Sequence, residues 1–300
     1  MPVLQVIASQ PLAGKSAIAA GLARGFAEQG ARVRLLRAGS SAAAAEDAAG
    51  FGRLNFATSP GVPVSAFSAS DAPAGELTII EAEAGSVVDA GLAGLLVVRA
   101  AATEADRALA ATLGDRLAGT IATRVPAAEV EAVARDLTNS GLRPLALLPE
   151  DRTLAAPSVD EIRSALAAEL LHDGENGADV VEDVLIAPVY ADPARPHFRR
   201  FASKAILAPY NKTDLLLAAI ESQASCLVIT GGARPSPYVA DRASGEETTV
   251  ILAPEETPQT VTALAEVWFS SRFRGERKAA AAHALLRGRL DFASLQRKLS

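Results

Sequence analysis

Val3-Leu4-Gln5-Val6-Ile7-Ala8-Ser9-Gln10-Pro11-Leu12-Ala13-Gly14-Lys15-Ser16 is the stretch whose reading decides the fold. Its apolar run suits a buried parallel strand. A turn follows, and Gly14-Lys15-Ser16 opens an alanine-rich helix that runs to about Gln29. Strand, turn and helix in this order form a P-loop: backbone N–H groups and the helix N-terminus cradle phosphate, the lysine reaches the β/γ-phosphates and the hydroxyl holds Mg²⁺. Gly14, Lys15 and Ser16 are therefore expected to bind a nucleotide. Ser9 stands where the full signature has glycine, which lets the backbone turn sharply against a ligand, so weakened nucleotide affinity is expected.

Outward from this stretch, apolar runs at 31–38, 77–85, 94–99, 117–125 and 145–148 read as further strands, separated by helical patterns at 41–49, 104–113 and 127–139. Such alternation gives a doubly wound, parallel α/β sheet. Pro149 to Pro157 marks a boundary, after which a second, smaller α/β unit begins. Ser158 caps a helix with Glu161 in capping-box position and Ile162, Leu166 and Leu170 along one face. Strands follow at 180–189, 204–208, 226–230 and 248–252, with a Pro-containing loop after the first of these. Helices are expected at 214–223, from Pro235, and at 257–269. The expected domains are thus 1–150, 151–256 and a helical C-terminal segment, 257–300.

Composition narrows the function classes. Hydrophobic residues make up 49% of the 300 residues and aromatics only 4%, too few for a stacking platform on single-stranded nucleic acid. The net charge of −6 gives no general attraction to nucleic acid. No uncharged apolar stretch of about 18 residues appears, so no membrane span is expected, and the single Cys226 reads as a buried strand residue in a cytoplasmic protein. His172, His197 and His283 lack metal-ligand spacing. The arginines and lysines after Arg272 are interleaved with alanines and leucines. They suggest a basic amphipathic helix or helix pair with a solvated face, or an arm packing on a second subunit of a homo-oligomer.

A nucleotide–Mg²⁺ site needs a hydroxyl and one or two carboxylates beside the phosphates. Ser16, Asp47 and Glu81 are the candidates for the metal, because Glu81 ends an apolar strand and Asp47 lies after the second. A second cluster, Asp151, Arg152, Thr230, Gly231, Gly232 and Arg234, could form an anion pocket or simply a tight strand-to-helix turn. Tyr190, His197, Arg199, Arg200 and Tyr210 could line an interface.

On Gly14-Lys15-Ser16, Arg37, Asp47 and Ile80-Glu81-Ala82-Glu83-Ala84-Gly85, the first half resembles the dethiobiotin synthetase-like P-loop domain. That domain also occurs at the N-terminus of long bacterial phosphate acetyltransferases and is related to cobyrinate amidase-type ATPases. The resemblance implies that Lys15, Ser16, Arg37, Asp47 and Glu81 assemble an ATP–Mg²⁺ site. Thr123-Arg124-Val125-Pro126 takes the place of a segment near the base. Arg37 stands where the synthetase has lysine, and the region between strands two and three is short, so synthetase activity is not expected. On Pro149-Glu150-Asp151-Arg152-Thr153 and Ile229-Thr230-Gly231-Gly232-Ala233-Arg234, the second half resembles the DRTGG domain.

Together these readings imply a nucleotide-binding regulatory protein with ATP or a related nucleotide and Mg²⁺ as cofactors, and with a metabolic enzyme as a possible partner. An acetyl-transferring domain is not recognisable after the DRTGG segment, so phosphate acetyltransferase activity is not expected. An ATP-dependent ligase or slow ATPase, and a structural assembly protein with a vestigial P-loop, are the alternatives.

Overall fold

The computed structural model describes residues 2–177, 179–187 and 191–299. Contacts divide the chain into two compact units, 1–154 together with 273–300, and 155–272.

The first unit is built on a six-stranded sheet, β1 (Val3–Ile7), β2 (Val33–Arg37), β3 (Leu77–Glu81), β4 (Ala93–Arg99), β5 (Leu117–Thr123) and β6 (Pro144–Leu147), in the order β2-β3-β1-β4-β5-β6. Every pairing in it is parallel. All five residues of β1 are buried, as a run without polar alternation requires when both faces of a sheet are covered. Helices α1 (Lys15–Glu28), α2 (Ala42–Phe51), α3 (Glu104–Leu113) and α4 (Val130–Asn139) connect the strands, and α5 (Arg152–Ala155) carries the chain into the second unit. Gln5 is buried in the middle of β1 and is kept satisfied by the loop before β4. Its amide donates to Asp89 O at 2.6 Å and Leu92 O at 3.2 Å and accepts from Val88 N at 2.8 Å.

The second unit holds α6 (Val159–Ala165), β7 (Glu169–His172), β8 (Asp183–Ile186), α7 (Ala191–Phe198), β9 (Lys204–Pro209), α8 (Thr213–Glu221), β10 (Cys226–Thr230), α9 (Pro237–Ala243), β11 (Thr249–Leu252) and α10 (Thr257–Ser270). Its five-stranded sheet runs β7-β11-β10-β9-β8, with β7 antiparallel to β11 and the rest parallel. The capping box at Ser158 forms: Glu161 N donates to Ser158 Oγ at 3.2 Å and Ser158 N to Glu161 Oε2 at 2.7 Å. Buried Cys226 sits in central strand β10.

Four local expectations are corrected. Leu170 is not on the helix: α6 stops at Ala165, Ala167 turns left-handed at φ 47°, and the chain reverses into β7 with Leu170 opposite Ile251. The stretch beginning at Ala191 is helical despite Pro196, because Ala194 and Phe198, four residues apart, are both fully buried and anchor one face. The helix expected from Pro235 begins at Pro237, with Ser236 at its N-cap. The strand expected over 180–189 is formed at 183–186; the end of that stretch and Tyr190 lie outside the described residues.

The basic C-terminal segment forms α11 (Gly275–Arg287) and α12 (Phe292–Leu299). Alongside its solvated face, where Arg277 and Arg287 are exposed, α11 also packs: Ala279, Ala282, His283 and Leu286 are buried within the first unit. Gly21 and Gly25, one turn apart on α1, admit this approach. A β-carbon on Gly21 would lie 2.9 Å from Leu286 Cδ1, and one on Gly25 2.4 Å from Phe292 Cε1. Phe26 and Phe292 then meet edge to face with centroids 5.3 Å apart. Lys298 Nζ donates to Ala118 O at 2.9 Å, so part of the basic charge is spent on the unit's own backbone. Among the described residues no helix is long and apolar enough to cross a membrane.

Candidate functional site

Parallel strands aligned in one sheet deliver their last residues to one edge, where ligands of open α/β sheets bind. Here that edge receives the turn 8–14 after β1, Arg37 from β2, Glu81 from β3, Arg99 from β4 and Thr123 from β5. Arg37 and Glu81 are register partners.

The turn after β1 is held from two sides. Leu12 and Gly14 adopt left-handed backbone, φ 56° and 97°, and Gly14 is the N-cap of α1. A glycine suits that place because a β-carbon there would be strained and would also meet Thr123 Cγ2 at 3.4 Å. Thr123 Oγ1 donates to Ala13 O at 2.8 Å, tying the turn to β5. Ser9 is not among the left-handed residues. Its hydroxyl points to α3 and donates to Asp106 Oδ1 at 2.6 Å. Asp106 in turn accepts from Thr103 N and Thr103 Oγ1 at 2.9 and 2.7 Å, completing a capping box. The position expected to suffer for lack of glycine needs no glycine conformation, and its side chain anchors the turn.

Lys15, the first residue of α1, is 6% exposed and makes no hydrogen bond or ion pair among the described residues. Burial lowers its pKa; the carboxylate of Glu81 works against that shift and the Arg37 guanidinium adds to it. Ser16 Oγ donates to Glu81 Oε1 at 3.0 Å. Arg37 Nε lies 3.3 Å from Asp47 Oδ2 and 3.7 Å from Glu81 Oε2. Glu81 is 2% exposed, and its Oε2 is a buried oxygen without a hydrogen-bond donor. Burial pushes its pKa up to about 7, with Asp47 adding and Arg37, Lys15 and Ser16 opposing. Neighbouring Glu83 is held below the usual carboxylate range by hydrogen bonds from the Ser41 side chain and backbone at the start of α2. Its carboxylate fills the space beside Gly39, where a β-carbon would lie 2.4 Å from Glu83 Oε1.

Lys15, Ser16, Arg37, Asp47, Glu81 and Thr123 are thus gathered at one edge of one sheet, with Gly14 shaping the turn. Arg234 is in the other unit, exposed and ion-paired to Glu169. The turn at Gly231 and Gly232 is left-handed at both residues, φ 96° and 67°, and their N–H groups donate to Glu255 O and Ala253 O at 2.8 and 3.1 Å. Thr230 Oγ1 bonds Thr257 Oγ1 at 2.7 Å, and Asp151 accepts from Leu154 N at 2.9 Å. Among the described residues no group of three His, Cys, Asp or Glu side chains is placed to hold a metal ion. The oxygens of Ser16, Asp47 and Glu81 differ from such a cluster in using a hydroxyl.

Residues 161–267 match the family model of the DRTGG domain. That match falls within the second unit and covers about a third of the chain. Over 170 residues the chain is 25% identical to a phosphate acetyltransferase of Nitratidesulfovibrio vulgaris (strain Hildenborough), an alignment covering 52% of this chain and 24% of that protein. The chain therefore spans about a quarter of that relative's length. Among solved structures, the CBS and DRTGG domains of the regulatory region of Clostridium perfringens pyrophosphatase, complexed with the activator diadenosine tetraphosphate, align at 21% identity. That alignment has a TM-score of 0.34 and covers 42% of this chain and 56% of that one.

Sequence reasoning missed two contributors to the site, Asp106 and Glu83. The Thr-Glu-Ala-Asp spacing from Thr103 to Asp106 marks a helix start and could have been found; that Ser9 would join it depends on strand order and had no local signal.

Proposed function

We propose that the protein is a regulatory nucleotide-binding protein that takes ATP, or a related nucleotide, with Mg²⁺ at the carboxyl edge of the first sheet. The supporting observation is buried Lys15, without a bonded partner among the described residues, beside Glu81, whose Oε2 lacks a donor among them. A buried charge and a buried lone pair are both costly without a partner, and a phosphate and a hard cation supply one to each. The donor set fits Mg²⁺: Ser16, Glu81 and Asp47 offer oxygen only.

In this reading the N–H groups at the start of α1 and Lys15 bind phosphate oxygens, while Ser16 and Glu81 hold the cation. Arg37, paired with Asp47, keeps the acids oriented. When bound, Mg²⁺ would neutralise phosphate charge. The DRTGG domain supplies the regulatory half of the proposal through domain order, a nucleotide site followed by a DRTGG domain in one chain, with a metabolic enzyme as the regulated partner.

Calorimetric titration of ATP with Mg²⁺ into the wild-type protein and Lys15→Ala tests this. Saturable binding, weakened at least tenfold in the variant and without phosphate release, is the expected result. Steady phosphate release would move the protein to the ATPase or ligase class, and no binding by the wild type would sink the proposal.

A further inference from the structure

The geometry points to a second anion subsite at the carboxyl ends of β4 and β5, where Arg99 and Arg124 would take a phosphoryl or carboxylate group of a small ligand. The proposed nucleotide site assigns no phosphate to either arginine; the resemblance places only the segment of Arg124 near the base.

Arg99 is the last residue of β4 and is register-paired with Thr123, the last residue of β5; Arg124 follows directly. Both strands end in the same way. Ala100 and Arg124 each turn left-handed at φ 55°, and Ala100 N donates to Thr123 O at 2.8 Å, so the two chain ends are fixed to each other. A left-handed backbone costs a residue with a β-carbon about 1 kcal/mol, so the surrounding structure holds this arrangement in place. Neither guanidinium has an ion-pair partner within 4 Å among the described residues.

Arg124 is half-buried, and burial together with the like charge of Arg99 disfavours its charged form, with Glu150 the carboxylate that offsets them. Two like charges placed together at a ligand-binding edge repel one another unless an anion lies between them. Guanidinium groups present paired N–H donors that match the oxygens of a phosphoryl or carboxylate group. Position adds to charge. Thr123, between the two arginines in the ladder, is the residue bonded to Ala13 of the turn before Lys15. The subsite therefore adjoins the proposed phosphate position without sharing its lysine.

Amide NMR titration of the full chain with inorganic phosphate, and separately with acetate, tests the assignment. Four proteins would be compared: wild type, Lys15→Ala, Arg99→Gln, and Arg99→Gln with Arg124→Gln. Saturable shifts at Arg99, Ala100 and Arg124 are expected in the wild type and in Lys15→Ala, at least fivefold weaker in Arg99→Gln and absent from the double variant. The anion that saturates at lower concentration identifies the group accommodated. No saturable shift with either anion, or shifts that persist in the double variant, would overturn the proposal. Arg99 is exposed at a strand end, so Arg99→Gln keeps the test valid even where the double variant is unstable. Because Lys15→Ala retains this response while losing nucleotide, failure of the nucleotide reading and failure of this one are separate results.

Discussion

Glu81 sets the pH behaviour of the unliganded protein. Its folded-state pKa, raised by burial to about 7, lies above the ordinary 4.5. Between these values the folded state binds the proton that the unfolded chain has released, so stability is greatest below about 4.5 and falls as pH rises toward 7. The full difference is on the order of 3 kcal/mol. Urea denaturation from pH 4.5 to 7.5 should show this decline for the wild type and a flatter profile for Glu81→Gln; equal slopes would remove Glu81 as the cause. The same residue shows what the sequence could and could not carry. Glu81 at the end of an apolar strand is legible as a candidate ligand, since strand ends meet at one edge. That its Oε2 lacks a donor is visible only in three dimensions. For Ser9 the motif speaks only of a missing glycine; that β3, β1 and β4 are neighbours, bringing α3 close enough for Asp106 to accept from its hydroxyl, is visible only in the structure.

At the scale of elements, long periodic segments were legible and short or returning ones were not. Helix 104–113 and strand 226–230 fall where spacing places them, and strand three begins at Leu77 as expected but ends at Glu81 rather than Gly85, because local signals that agree with their tertiary surroundings are the ones that hold. β7 was hidden since four residues carry too little periodicity, and Leu166 and Leu170 mimic a helical face. α7 was hidden by its prolines. The contact between α1 and α11 had only Gly21 and Gly25 as its mark, four residues apart in an otherwise good helix. Gly25→Leu would drive a side chain into Phe292 and His283. Overpacking of this kind costs about 1–3 kcal/mol. Urea titration should give a lower midpoint with an unchanged slope, and α12 should lose protection from amide exchange first. An unchanged midpoint would mean that α1 and α11 are not packed this closely in solution.

At the scale of the whole molecule, the parallel sheet of the first unit and the presence of a second α/β unit were legible from alternating strands and helices. The return of the chain to the first unit was not, since no local pattern says which surface a basic amphipathic helix will cover. The first unit is discontinuous: residues 1–154 and 273–300 belong together although the whole second unit is inserted between them. A protease cut between Ser271 and Arg274 should therefore leave the 274–300 fragment bound through Leu286 and Phe292, co-eluting on gel filtration until denaturant is added. Its immediate loss would show that covalent attachment, not packing, keeps it there.

The same discontinuity has a meaning during synthesis. A ribosome delivers the six strands of the first sheet early, yet the face of α1 at Gly21, Gly25 and Phe26 stays bare while the entire second unit is made. Its cover, α11 and α12, emerges only after that unit. The nascent chain therefore carries an open apolar stripe for more than a hundred residues of elongation, the interval in which chaperones would find it and in which a premature stop would leave it uncovered for good.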